Sequence, residues 1–118
     1  MNIVISSVVV TNIESFYQNV ARKYRNTYDY GDMHRDIDNA IDATLRIENG
    51  LLRRKPTISR WSGYFMTNTD KWYFAYRIEG ETIYVEDACH AQNMHELLEE
   101  NKMVKLILSF MDRLNKIA

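Results

Sequence analysis

The chain is poor in the residues that punctuate or staple a fold: one cysteine, one proline and four glycines in 118 residues. A lone Cys89 excludes an internal disulfide framework and a four-cysteine zinc site. So little Pro and Gly excludes a collagenous, linker-rich or low-complexity chain, and no internal repeat is present. No apolar run approaches the roughly 20 residues of a helical membrane span. The apolar start, residues 1–10, also lacks what a signal peptide has. No Lys or Arg precedes it, Ser6 and Ser7 interrupt it, and no small-residue cleavage site follows. A cytoplasmic protein with no membrane contact is expected. The chain also lacks any marked charge excess: 15 bases face 16 acids, a net −1. That excludes a binder relying on global positive charge, though not a local basic patch.

What is there suits one domain, 1–118, with a core of its own. Hydrophobic residues make up 46% of the chain, and eight Tyr, four Phe and two Trp are a heavy aromatic load. Residues 1–10 are rich in β-branched side chains and read as a buried strand. Thr11-Asn-Ile-Glu14 has the form of a capping box. The helix it opens carries Ile13, Phe16, Tyr17, Val20, Ala21 and Tyr24 at 3, 4 spacing. Gly31 lies in a polar break, after which a second helix is expected over about Asp32 to Asn49. Its inner stripe is Met33, Ile37, Ala40, Ile41, Thr44 and Leu45, and Gly50 is its left-handed stop. The two helices are expected to be antiparallel.

Beyond Pro56 the period falls to two. Strands are expected over Ser59–Met66, Lys71–Ile78 and Thr82–Ala88, with turns at Thr67–Asp70 and Glu79-Gly80. Trp72, Phe74 and Tyr76 share one parity and belong to the core; Lys71, Tyr73 and Arg77 share the other. A last amphipathic helix is expected at about 96–117, either packed on the sheet or serving as a dock for a partner or a homodimer contact. The fold class is α+β: a small antiparallel sheet with an N-terminal strand and helical hairpin, a three-stranded meander and a C-terminal helix. The first strand joins beside a later one.

Near-neutral charge hides a segregation. Between Gly50 and Asn68 stand Arg53, Arg54, Lys55 and Arg60 and no acid; between Ile78 and Asn101 stand seven acids and no Lys or Arg. Clustered cations beside aromatics suit a phosphate backbone and stacked bases. The plainer reading is a solvated turn, with Arg60 pairing an acid across the sheet. Cys89 beside His90 reads as a buried thiol rather than half of a dyad, because adjacent strand residues face opposite ways. Asp87, Cys89, His90 and His95 match no standard zinc spacing, and no cofactor is expected.

Trp61-Ser-Gly-Tyr-Phe-Met66, Lys71-Trp-Tyr-Phe-Ala-Tyr-Arg-Ile78 and Thr82-Ile-Tyr-Val-Glu-Asp-Ala-Cys-His90 together resemble the sheet of RelE/ParE-type toxins. These are the toxin halves of bacterial toxin–antitoxin pairs. The opening strand, the hairpin begun at Asn12-Ile-Glu14, and Ile47-Glu-Asn-Gly-Leu-Leu-Arg-Arg-Lys-Pro56 extend the resemblance to about residues 1–95. It implies an antitoxin partner and one of two activities. RelE-like members cleave messenger RNA on the ribosome; ParE-like members inhibit DNA gyrase without hydrolysis. A third possibility is a non-toxic relic that binds a protein partner. The RNA-cleaving reading is the one expected here, a metal-free endoribonuclease.

Such cleavage needs a base for the 2′-hydroxyl, an acid for the leaving oxygen and cations on the phosphate. His90 or His95 would be acid or base. Arg60, Lys71 and Arg77 would complete the catalytic set, and Arg53, Arg54, Lys55 and Tyr73 would bind nucleic acid. Many RelE-like nucleases carry an Arg where Met66 and Thr67 stand, and the single His90 after the last strand is more ParE-like. For His90 the alternative is a strand-end residue bonded to backbone.

Overall fold

Residues 1–50, 53, 55, 56, 58–69, 71–94 and 111 are described by a computed structural model. Their elements are β1 (Asn2–Ile5), α1 (Ser7–Lys23), α2 (Tyr30–Leu45), 3-10 turns at Ile47–Gly50 and Ser59–Trp61, then β2 (Phe65–Thr69), β3 (Trp72–Glu79) and β4 (Thr82–His90). The class is α+β, with a four-stranded sheet in the order β1-β4-β3-β2. β1 runs parallel to β4, and the other neighbours are antiparallel. The expected helix at about 96–117 lies outside the described residues.

The opening strand is shorter than its β-branched run. Ser6 caps α1, its side chain accepting the Val8 N–H at 3.1 Å. Helix therefore starts at Ser7 and Thr11 lies inside it, so the expected box at Thr11–Glu14 does not form. Packing overrides the weak helix propensity of Val8–Val10. Val9 and Ile13 are fully buried and Tyr17 nearly so, one residue per turn, whereas Tyr24 is the C-cap and half exposed. α2 begins two residues before Asp32, at an Asp29/Asp32 capping box. It also ends earlier than expected, at Leu45, which is exposed, while Ile47 in the following turn takes the buried place. Gly50 has no positive φ and stops nothing; the left-handed glycines are Gly63 and Gly80.

Gly63, at φ 92°, also corrects the first meander strand. Ser59–Trp61 is a 3-10 turn, and strand begins only at Phe65. Thr67–Thr69, expected as a turn, pair with Phe74, Tyr73 and Trp72. β3 and β4 follow expectation closely. Gly80, at φ 59°, allows the tight connection that sets Glu79 against Thr82.

The sheet has a core on each face. Toward the helices, Trp72, Phe74, Tyr76, Ile83, Val85 and Ala88 pack with Val9, Ile13, Tyr17, Ala40 and Ile47. On the other face Ala75 and Cys89 pack with Ile58, Trp61, Met66 and Met94. β4 serves both through a bulge. Ala75 pairs with Asp87 but Tyr76 with Val85, which leaves Glu86 as the extra residue. The face toward the helices thus passes from Ile83 and Val85 to Ala88 and His90.

The connection between the helices makes a titratable contact with α2. The Tyr28 hydroxyl donates to Asp36 Oδ2 at 2.7 Å. Burial, with that bond to a carboxylate, raises the phenol above its ordinary value near 10. A raised folded pKa means that the folded state holds its proton where the unfolded state has lost it. Tyr28 then supports folding fully below pH 10, and its contribution declines as pH rises beyond that value. Tyr28→Phe should cost about 1.5–3 kcal/mol at neutral pH, the worth of a hydrogen bond to a charged group. It should also flatten the alkaline loss of stability in urea titrations. An unchanged alkaline slope would place that loss elsewhere.

Candidate functional site

β1 stops at Ile5, opposite Val85, while β4 continues to His90. Beyond Val85, therefore, β4 has a strand neighbour on one side only among the described residues. Its other side meets α1, and there the polar groups gather. Asp87 Oδ1 accepts the N–H of Ala88 at 2.8 Å and Asn12 Nδ2 at 2.8 Å. The same Asn12 amide donates to the Ala88 carbonyl at 3.1 Å. Both backbone groups of Ala88 are thereby closed against an incoming strand. Asp87 Oδ2 accepts Trp61 Nε1 at 2.8 Å and Arg60 at 3.0 Å. One carboxylate ties α1, the bulge and the 58–61 turn together.

Beside this knot lies a cleft of about 390 Å³. α1 supplies Asn12, Ser15, Phe16 and Asn19, a 3, 1, 3 spacing that keeps them on one helix face. Trp72 comes from the start of β3, Ala88, Cys89 and His90 from the adjoining end of β4, and Arg60 and Asn93 complete the lining. The His90 ring stacks on Phe16 with centroids 4.0 Å apart and planes at 11°, and meets Trp72 edge-on at 5.3 Å. Its Nδ1 accepts the Gln92 N–H at 3.2 Å. That bond puts the proton of the neutral ring on Nε2, so a base acting through Nε2 would have to give it up.

Of the catalytic and nucleic-acid-binding candidates singled out in the sequence, His90 and Arg60 share this cleft, and Cys89 lines it beside them. The others are placed elsewhere. Lys71 is exposed, and its carbonyl accepts the Ala91 N–H. Arg77 sits beyond the bulge, held by Glu86 at 3.0 Å and by Glu79, with its guanidinium 4.1 Å from the Tyr84 ring. Arg53 lies over Phe65, 6.0 Å from the ring centroid, and Lys55 is exposed. Tyr73 is half-buried against the second core. Arg54 and His95 fall outside the described residues. Cys89 is buried, as expected.

The residues not foreseen are Asn12, Phe16 as the ring beneath His90, and Asp87 as the shared acceptor. The acid on Arg60 was foreseeable in kind, and it is Asp87. Among the described residues, no three His, Cys, Asp or Glu side chains cluster as metal ligands would, and no helix is long and apolar enough to cross a membrane. Among the described residues the cleft offers side-chain amides, the Ser15 hydroxyl, an aromatic wall, the Cys89 thiol and one cation already facing a carboxylate. No protein-family model matches the chain, and no curated protein or solved structure matches it.

Proposed function

We propose that the chain is a RelE/ParE-like, toxin-type domain. It acts by occupying a protein target, as the ParE-like branch does with DNA gyrase, rather than by cleaving RNA, and an antitoxin is its natural partner. The observation that carries this reading is the state of two arginines, one in the 59–61 turn and one on β3. Arg60 faces Asp87, and Arg77 faces both Glu79 and Glu86. A guanidinium already neutralised by its own chain contributes little field to a crowded phosphate. The order of strand, two helices and three-stranded meander supports the toxin-type part of the reading. The RNA-cleaving reading keeps one observation in its favour, the shared cleft of Arg60 and His90.

The test is induced expression in a bacterial host, with DNA and protein synthesis followed separately by isotope incorporation. Early loss of DNA synthesis is expected, and His90→Ala should arrest growth within about twofold of the parent, since no general acid or base is lost. An immediate halt in protein synthesis that His90→Ala relieves by about a hundredfold or more would hand the chain to the ribonuclease branch. Normal growth with soluble protein would remove toxicity and leave a partner-binding relic.

A further inference from the structure

The sheet has a second edge feature, independent of the toxin reading. Among the described residues β1 is a terminal strand of the sheet. Asn2 N–H donates to the Glu81 carbonyl at 2.9 Å and Ser6 N–H to that of Val85 at 3.0 Å. The even-numbered residues therefore face β4, and Ile3 and Ile5 turn their N–H and C=O groups outward. Proteins ordinarily blunt such an edge with charge, proline, a bulge or a cover. β1 has none of the first three: no charged side chain or proline occurs before Glu14, and the register with β4 runs without interruption. The other margins are managed. On β2, Thr67 is fully buried, with its hydroxyl on the Gly50 carbonyl. The projecting end of β4 is closed at Ala88 by Asp87 and Asn12.

We propose that the β1 edge is a homodimer interface, in which two copies pair β1 antiparallel about a two-fold axis at Val4. The occupant follows from the strand itself. Asn2-Ile-Val-Ile-Ser6 has the same order of polar and apolar residues in both directions. Antiparallel self-pairing sets Ile3 against the partner's Ile5, which exchange both backbone hydrogen bonds, and Asn2 against the partner's Ser6. Val4 meets the partner's Val4 at the non-hydrogen-bonded position, where side chains approach most closely. Val4 is 47% exposed in the single chain, and Met1 and Val8 nearby in sequence are exposed as well. An uncharged strand meets its own copy without repulsion. The axis stands perpendicular to the sheet, so both helical layers fall on one face of a continuous eight-stranded sheet.

Sedimentation of the full chain across a wide concentration range tests this, together with Val4→Lys, Val4→Glu and their equimolar mixture. The parent is expected to dimerise. Each variant should raise the dissociation constant by about tenfold or more through like charges placed opposite one another, and the mixture should restore association. Val4 is exposed, so both variants should keep the parent's circular dichroism. Amide exchange at Ile3 and Ile5 should slow as concentration rises. A parent that stays monomeric, with Ile3 and Ile5 exchange independent of concentration, overturns the proposal and leaves the edge to a foreign strand. A dimer indifferent to both charges, or a mixture that stays apart, overturns it equally.

Discussion

Asp87→Ala is expected to destabilise the domain by about 3 kcal/mol, most of it through an indole rather than an ion pair. Trp61 is 1% exposed, and its Nε1–H donates to Asp87 Oδ2. Removing the acceptor leaves that donor buried and unpaired, which costs about 1–3 kcal/mol by itself. Ala88 N–H and Asn12 lose a partner in the same step, at a margin where water reaches only part of the knot. Arg60 contributes less: its side chain is 49% exposed and regains water, so Arg60→Ala should cost no more than about 1 kcal/mol. Asp87→Asn should fall between, since its amide nitrogen turns a donor toward one pair of donors. Urea unfolding of the three variants gives the order. If Arg60→Ala cost as much as Asp87→Ala, the carboxylate would matter chiefly as a counter-charge.

Asp87 also shows where sequence reading succeeded and where it stopped. Period-two alternation located β3 to within a residue and identified Trp72, Phe74 and Tyr76 as core, because strand parity depends on nothing beyond the strand. The bulge left a trace: Ile83 and Val85 alternate, then Glu86 and Asp87 stand together before Ala88. Two polar residues in succession break the parity, and that break is the signal for an inserted residue. Which donors would gather on Asp87 left no such trace, since Asn12, Arg60 and Trp61 are brought there by pairing β1 parallel to β4 and by the 3-10 turn at 59–61.

The ends of elements were read least well, for a related reason. Val8, Val9 and Val10 favour a strand locally, yet Ser6 caps a helix and Val9 finds a fully buried place one turn before Ile13. Thr67-Asn-Thr has the composition of a turn, but pairing with β3 and burial beneath Gly50 hold it extended. In each case tertiary burial outweighed a propensity of a few tenths of a kcal/mol per residue. The charge segregation was legible as counts. Its outcome was not, because two candidate phosphate ligands, Arg60 and Arg77, are drawn onto the acidic strand β4.

Trp72→Ala carries the largest expected loss, about 3–5 kcal/mol, the usual cost of emptying an aromatic site in a core. Trp72 is 2% exposed and touches Phe16 at 5.6 Å, His90 at 5.3 Å and Tyr17 at 6.0 Å between ring centroids, while its indole N–H donates to the Tyr17 hydroxyl at 3.2 Å. No neighbour replaces that bulk, and the cleft wall loses its support from β3. His90→Ala, in the same cluster, should cost only about 1 kcal/mol, the worth of one stacked ring at a half-buried position. The contrast matters for function as well as stability. A histidine whose removal leaves the fold intact is a usable probe of chemistry, whereas any loss of activity in Trp72→Ala would report unfolding. Urea midpoints for the two variants decide it. If His90→Ala proved as damaging as Trp72→Ala, the ring would be a keystone of the α1–sheet contact, and its effect on growth would carry no information about catalysis.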